Sequence, residues 1–324
     1  MTPDAFSTVV LPAYCDLPVV KGLAARSAWG VFGSDDRLGS LNLLTEARTA
    51  AAAALVRRGA VFPLGWRLEL PDPPMFGRRP LRHVSHTFAN GTDDHYDDFY
   101  PQGSSQWDAL SHIGYPGVGF YGGRTAEAVG NPATNPLGIE WWARRGIAGR
   151  FVLADLARRR EERGEPLDST LATPIDAGEL EATLADEGVA VQAGDILLLR
   201  FGWIGWYETL GRERRQQVAD LGHTPTPGLA QDEAMAAWLW DHRVAAVAAD
   251  NPGVEVYPAD PEDLDHFLHY RLLTFLGLAL GELFALDALA EDCARDGVYE
   301  GLFTAAPLNK QGGSGSTANA LALK

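Results

Sequence analysis

Apolar and polar positions alternate along this chain with a changing period, and each change marks a short element. Thr45 is a good N-cap for the Ala-rich run Glu46 to Arg58, and Gly59 ends that run, so a helix is predicted there. Val61 to Leu70 and Leu81 to Phe88 read as strands, with the proline-rich loop 71–80 between them. Asn90 to Asp98 reads as an acidic loop. Gly138 to Arg145 predicts a short helix, Ile147 to Leu153 a strand and Ala177 to Glu187 a further helix. Ile196 to Phe201 and Val244 to Ala249 are short apolar runs of the kind that form buried strands. Between them, Gln231 to Asp241 predicts an amphipathic helix. Asp263 to Leu276 reads as helical with Gly277 as its cap, and Leu278 to Phe284 as a strand carrying Glu282. Gln311 to Ser316 has the composition of a flexible linker, while Ala318 to Leu323 beyond it is apolar enough to pack.

Short strands and helices alternate throughout, without an internal repeat. The chain therefore reads as an N-terminal arm, residues 1–28, and one undivided domain, residues 29–324. A length of 324 residues is enough to bury a sizeable core.

Charge narrows the range of partners. A net charge of −16 argues against nucleic acid or an anionic membrane and leaves a small molecule as the expected partner. The two cysteines, Cys15 and Cys293, stand far apart in no metal-like spacing, which fits a reducing compartment. The apolar stretch Leu272 to Leu289 is interrupted by Glu282 and Asp287, too polar to span a bilayer. With no basic, apolar leader between Met1 and Pro18, the expected location is the cytoplasm.

The densest chemistry lies between Tyr100 and His112, where Gln102, Gln106, Asp108 and His112 all fall on even positions. On a helix Asp108 would be about 200° round from Gln106, and a straight strand would spread the outer pair over about 33 Å. A bent segment gathers them, and Gly103-Ser104-Ser105 is where the chain bends cheaply. The alternative is a capped turn whose Asp and Gln satisfy local backbone groups. Of the eight histidines (His83, His86, His95, His112, His223, His242, His266 and His269), His112 stands out by lying one turn beyond Asp108. His269 and Glu282 would diverge by about 220° on one helix, but a reversal at Gly277 lets them face each other. Glu282 sits among Leu278, Ala279, Leu280, Leu283 and Phe284, where a carboxylate is costly unless paired or metal-bound. The chain carries no G-x-S-x-G elbow, no Walker loop, no dinucleotide-binding glycine pattern and no H-E-x-x-H.

The run Gln102-Gly103-Ser104-Ser105-Gln106-Trp107-Asp108-Ala109-Leu110-Ser111-His112 resembles the signature H-x-G-T-H-x-D-x-P-x-H of the cyclase-like metal-dependent hydrolases. That group includes bacterial kynurenine formamidase, isatin hydrolase and trans-dienelactone hydrolase. Asp108 and His112 are retained, both earlier histidines are Gln, the Gly is shifted by one and Leu110 replaces Pro. This Gln-x-x-x-Gln-Trp-Asp-x-x-x-His variant looks like the longer-chain branch that includes trans-dienelactone hydrolase. Trp29-Gly30 through Leu43, Gly194 to Arg200, His269 to Glu282 and Pro307 to Ser316 resemble further family segments in the family's order.

The resemblance implies a mixed α+β, swivelling β/β/α fold with a central barrel-like sheet flanked by helices. It also implies a homo-oligomer, a dimer or tetramer, and a divalent cation. Carried over by position, Gln102, Gln106 and Asp108 would be metal ligands, and Glu282 a further ligand or bridge. His112 would be the acid/base group, and His269 either a ligand to a second metal or a proton shuttle. Trp107, Tyr115, Phe120 and Tyr121 would wall the substrate pocket or else pack the core. Two amides in place of imidazoles make an oxygen-rich set that favours Mn²⁺, Mg²⁺ or Ca²⁺ while still admitting Zn²⁺. The expected activity is hydrolysis of a small cyclic ester or amide, or of a related aryl-formamide. The alternatives are a metal-independent cyclase or dehydratase and a non-catalytic small-molecule binding protein.

Overall fold

The computed structural model describes residues 11–219 and 224–324, so His223 and the first ten residues of the arm lie outside the described residues. Three apolar runs, Ile196–Leu199, Ala246–Ala249 and Ala279–Glu282, form parallel neighbours, and every residue in them is buried. Burial on both faces is what a parallel strand covered by helices requires, and it explains why these runs read as continuous rather than alternating. Ile147–Ala154 extends this parallel core on one side. Antiparallel strands complete a mixed sheet of nine. Its order is Val61–Pro63, Ala320–Leu323, Glu300–Ala305, Ile147–Ala154, Ile196–Leu199, Ala246–Ala249, Ala279–Glu282, Gln106–Asp108 and Gly315–Thr317.

The connection between two of these strands fixes the shape of the sheet. Gly315–Thr317 and Ala320–Leu323 are joined by only Ala318 and Asn319, yet they stand last and second in the order. In a flat sheet they would be about 34 Å apart, against a reach of about 10 Å for the linking residues. The sheet must therefore curl, as the expected barrel-like sheet requires, into an α+β half-barrel flanked by helices.

The flanking helices carry the caps their sequences promise. Thr45 accepts from the Arg48 N–H, Asp176 from Glu179 and Asp232 from Met235. They cap helices Glu46–Ala53, Ala177–Asp186 and Glu233–Asp241. Within the segment 11–28, Leu11, Tyr14 and Leu17 pack into the main core.

Five sequence expectations change. The helix from Glu46 stops at Ala53, and the strand expected over Val61 to Leu70 is three residues long. Asn90 to Asp98 is no loop: Gly91–Asp97 pairs with Arg82–Phe88 as a hairpin. Most hairpin residues are exposed, so no apolar period marks the second strand. The linker reading of Gln311 to Ser316 fails, because Gly315 and Ser316 are buried in the strand that pairs with Gln106–Asp108. Asp263 to Leu276 splits into a single 3₁₀ turn, Leu264–His266, and a π-helix, Tyr270–Leu276. The π-helix ends at Gly277 in the left-handed region, with φ of 66°. A side chain there would also meet the Tyr121 ring 2.4 Å away, so glycine is required on two counts.

A candidate metal centre

Strand register assembles the centre. Glu282 stands opposite Gln106 and Leu280 opposite Asp108, so Gln106, Asp108 and Glu282 share one face of the sheet. Trp107, between the two donors, points the other way. There it lies fully buried against Trp142, Phe284 and Phe303, and its indole N–H donates to the Ala318 carbonyl at 3.0 Å. Gly315 is opposite Asp108 on the far side, and a Cβ there would lie 2.5 Å from the Gln102 side chain. Its bare Cα is what lets Gln102 reach over the strand and donate from Nε2 to Asp108 Oδ1.

His269 enters from the residue before the π-helix. Its Nδ1–H donates to Glu255, whose carboxylate also accepts the backbone N–H groups of Leu268 and His269. Nε2 is thereby aimed at the donor face, 3.1 Å from Glu282 Oε1 and 3.8 Å from Asp108 Oδ2. The reversal at Gly277 does bring His269 and Glu282 together. His112 follows a turn in which its N–H donates to the Ala109 carbonyl, and its Nε2 lies 3.8 Å from Asp108 Oδ1.

Asp108, His269 and Glu282 thus offer three ligand atoms within 4.8 Å of one another, all buried. Burial alone would raise the Asp108 pKa, but the His112 charge, the nearby His269 imidazole and the hydrogen bond from Gln102 outweigh it and hold the pKa below its ordinary value. Glu282 is pushed up to about 7, first by burial and then by the Asp108 charge. Burial works against the His269 imidazolium, yet the nearby Asp108 carboxylate and the hydrogen bonds to Glu255 and Glu282 raise its pKa well above the ordinary value. Burial likewise lowers His112, leaving it a neutral imidazole near pH 7.

Three buried carboxyls thus surround one imidazole. Asp108 Oδ2 and Gln106 Oε1 are buried on this face without a hydrogen-bond partner among the described residues. Buried acceptors left unpaired are costly, and a divalent cation would satisfy both them and the excess negative charge. The residues present therefore fit a divalent cation. A carboxylate holding the far nitrogen of a ligating histidine, as Glu255 holds His269, is the usual support for such a ligand.

The sequence-predicted residues divide. The structure gathers Gln102, Gln106, Asp108, His112, His269 and Glu282. Gln102 and Gln106 turn their amide nitrogens to the carboxylates, Gln106 donating to Glu282 Oε2 at 2.5 Å, so in this arrangement they act as donors to the ligand carboxylates. The aromatic wall is corrected to its core alternative for Trp107 and Tyr121. Tyr121 is buried, with its hydroxyl donating to Asp36 at 2.9 Å. Tyr115 packs on Tyr270 and Phe275, and Phe120 joins the main core. Glu255 was missed. Glu255 lies between Val254 and Val256, and the rule that singled out Glu282 would have found it. His83, His86 and His95 lie on the exposed hairpin, where His83 meets Asp94 and His86 meets His95.

Among the described residues, no helix is long and apolar enough to cross a membrane. A family model described as "Putative cyclase" matches residues 75–256. A solved structure titled as a novel cyclase is 33% identical, with alignment over 92% of this chain and 99% of that one at a TM-score of 0.80. Isatin hydrolase A from Labrenzia aggregata, bound to benzyl benzoate, is 17% identical over 85% of this chain and 96% of its own, with a TM-score of 0.55. A protein titled as a predicted metal-dependent hydrolase from Bacillus stearothermophilus is 18% identical over 82% and 98%, with a TM-score of 0.50. No curated protein matches the chain. With more than half of its length matched by that model and a relative one-third identical across nearly all of it, the chain belongs to the cyclase family.

Proposed function

We propose that this chain is a metal-dependent hydrolase that opens a small cyclic ester or amide, or cleaves a related aryl-formamide, with water. The observation that carries the proposal is the buried group Asp108, His269 and Glu282, within which Asp108 Oδ2 has no hydrogen-bond partner among the described residues. Those three residues would hold a divalent cation, manganese or zinc, with Gln106 Oε1 as a further oxygen donor. A cation bound there supplies polarisation of a carbonyl and acidification of water. The fold-level likeness to proteins titled isatin hydrolase and metal-dependent hydrolase supports the same reading.

The protein's own groups account for the proton. His112 is neutral, partly exposed and beside the donor face, so its Nε2 can accept a proton from the attacking water. It then returns that proton to the departing oxygen or nitrogen as the carbon–heteroatom bond breaks, and ring opening leaves a carboxylate and an alcohol or amine. His269 is pinned by Glu255, which suits it to binding rather than to carrying protons. The expected test result is that Asp108→Ala loses both bound metal by elemental analysis and turnover of lactones and cyclic amides. Full metal content and activity in that variant would defeat the proposal.

A second reading has its own observation. The amide donors of Gln102 and Gln106 already offset the carboxylate charge, as a metal-independent cyclase or dehydratase would need. Activity that survives exhaustive chelation decides for it.

A further inference from the structure

Strand alternation sorts the polar residues of the hairpin Arg82–Phe88 and Gly91–Asp97 onto two faces. Register sets His86 opposite Asp93 and Val84 opposite His95, so His86, Asp93 and His95 share one face. His83 belongs to the other face, where it stacks on Tyr96 and bonds to Asp94 at 2.8 Å. The His86 and His95 rings stack with centroids 5.0 Å apart and 19° between their planes. Their facing nitrogens, His86 Nε2 and His95 Nδ1, are 2.9 Å apart. The far nitrogen of His95, Nε2, lies 3.8 Å from Asp97 Oδ1, and Asp97 also pairs with Arg82.

That spacing suits a chelated ion as well as a hydrogen bond. Two nitrogens about 2.0–2.1 Å from one ion stand about 2.9 Å apart at a right angle and about 3.4 Å apart in a tetrahedron. The observed 2.9 Å matches neighbouring ligands of a square-planar site, the geometry of Cu²⁺ and Ni²⁺ rather than of Zn²⁺. Proton balance is met within the pair. With the His95 proton on Nε2, toward Asp97, its Nδ1 accepts the bond from His86 Nε2–H. An ion takes the place of that bond once the His86 proton moves to Nδ1 of the same ring, and both imidazoles then ligate as neutral groups. Asp97 supports His95 from behind, as carboxylates do for metal-bound histidines. Asp93 supplies a third donor: one of its oxygens accepts the Asp94 N–H at 2.9 Å, and the other is available to the ion.

We propose that His86 and His95, with Asp93, form a second metal site on the hairpin, taking Cu²⁺ first and Ni²⁺ after it, separate from the buried oxygen-rich centre. Its role is to clip the two strands together. A two-stranded hairpin with both faces wet is marginal on its own, and the ion cross-links residues nine apart in the chain. The proposal does not depend on the reaction at the buried centre.

The test uses the full chain, reconstituted with Mn²⁺, desalted and titrated with CuCl₂ at neutral pH. Wild type should take up one Cu²⁺ while retaining its manganese, with nitrogen hyperfine splitting in the EPR spectrum and slower hydrogen exchange of amides 82–97. His86→Ala and His95→Ala should each weaken copper binding at least about 10-fold, since even an outer-shell partner is worth about that much. The double variant should lose both the splitting and the protection of the hairpin. Both rings are exposed, so the fold should survive, which unchanged circular dichroism and manganese content read directly. Equal copper affinity and spectra in the double variant would overturn the proposal. So would copper gained only as manganese is lost, which assigns the ion to Asp108, His269 and Glu282. If the protein holds no manganese, the comparison of wild type with the double variant still decides.

Discussion

Glu255 is bonded to the far nitrogen of His269 and so sets the direction in which that imidazole points. Its carboxylate takes Nδ1 of His269 and two backbone N–H groups, leaving Nε2 as the nitrogen that faces Asp108 and Glu282. Replacing Glu255 with Gln should weaken metal affinity about 10- to 100-fold, measured by competition with a chelator, while the fold persists. Unchanged affinity would show that the imidazole is oriented by something else. At this scale the sequence was legible where chemistry was dense or out of place. Asp108 and His112 stood in a crowded polar run, and Glu282 in an apolar one. Trp107 takes the core alternative of its two readings, because a strand sends adjacent side chains to opposite faces.

Among elements, the three-residue donor strand depends on what lies opposite it. Gly315 leaves room for Gln102, and a methyl group there would press on that side chain and on the Trp107 carbonyl, 2.8 Å away. Gly315→Ala should therefore cost about 1–3 kcal/mol, read as a lower urea midpoint, and should also reduce metal uptake. A variant of unchanged stability and metal content would remove Gly315 from the account. The stop at Gly277 was readable because glycine after an apolar helical run is a strong signal. The π-helix before it was not, since its sequence carries the same apolar residues as an α-helix. The strand Gly91–Asp97 was hidden for a related reason: with both faces wet, it has no apolar alternation to read.

Over the whole molecule, burial of ionisable groups away from the centre sets a pH dependence of stability. Glu187 accepts the Asp155 N–H at 2.7 Å through one oxygen and has no hydrogen-bond partner for the other among the described residues. Burial pushes its pKa from 4.5 up to about 8. Between those values the folded chain holds a proton that the unfolded chain has lost, so stability falls as pH rises through that window. Glu187→Gln should flatten this part of the Tm-against-pH curve, and an unchanged slope would place its origin elsewhere. The order of strands in the sheet was the least legible property of all. Most pairings join runs of three or four residues that lie far apart in sequence, and nothing local in such runs names a partner.

That long-range pairing has a consequence for how the protein is made. Gln106 is synthesised 176 residues before Glu282, and the Gly315–Thr317 strand emerges later still. Until both neighbours have left the ribosome, the nascent chain holds Asp108 on a strand with nothing on either side. Non-local contacts of this kind form slowly, after local helices. Cation capture would therefore be a late event in maturation, and in refolding experiments the gain of helical signal should precede the uptake of metal.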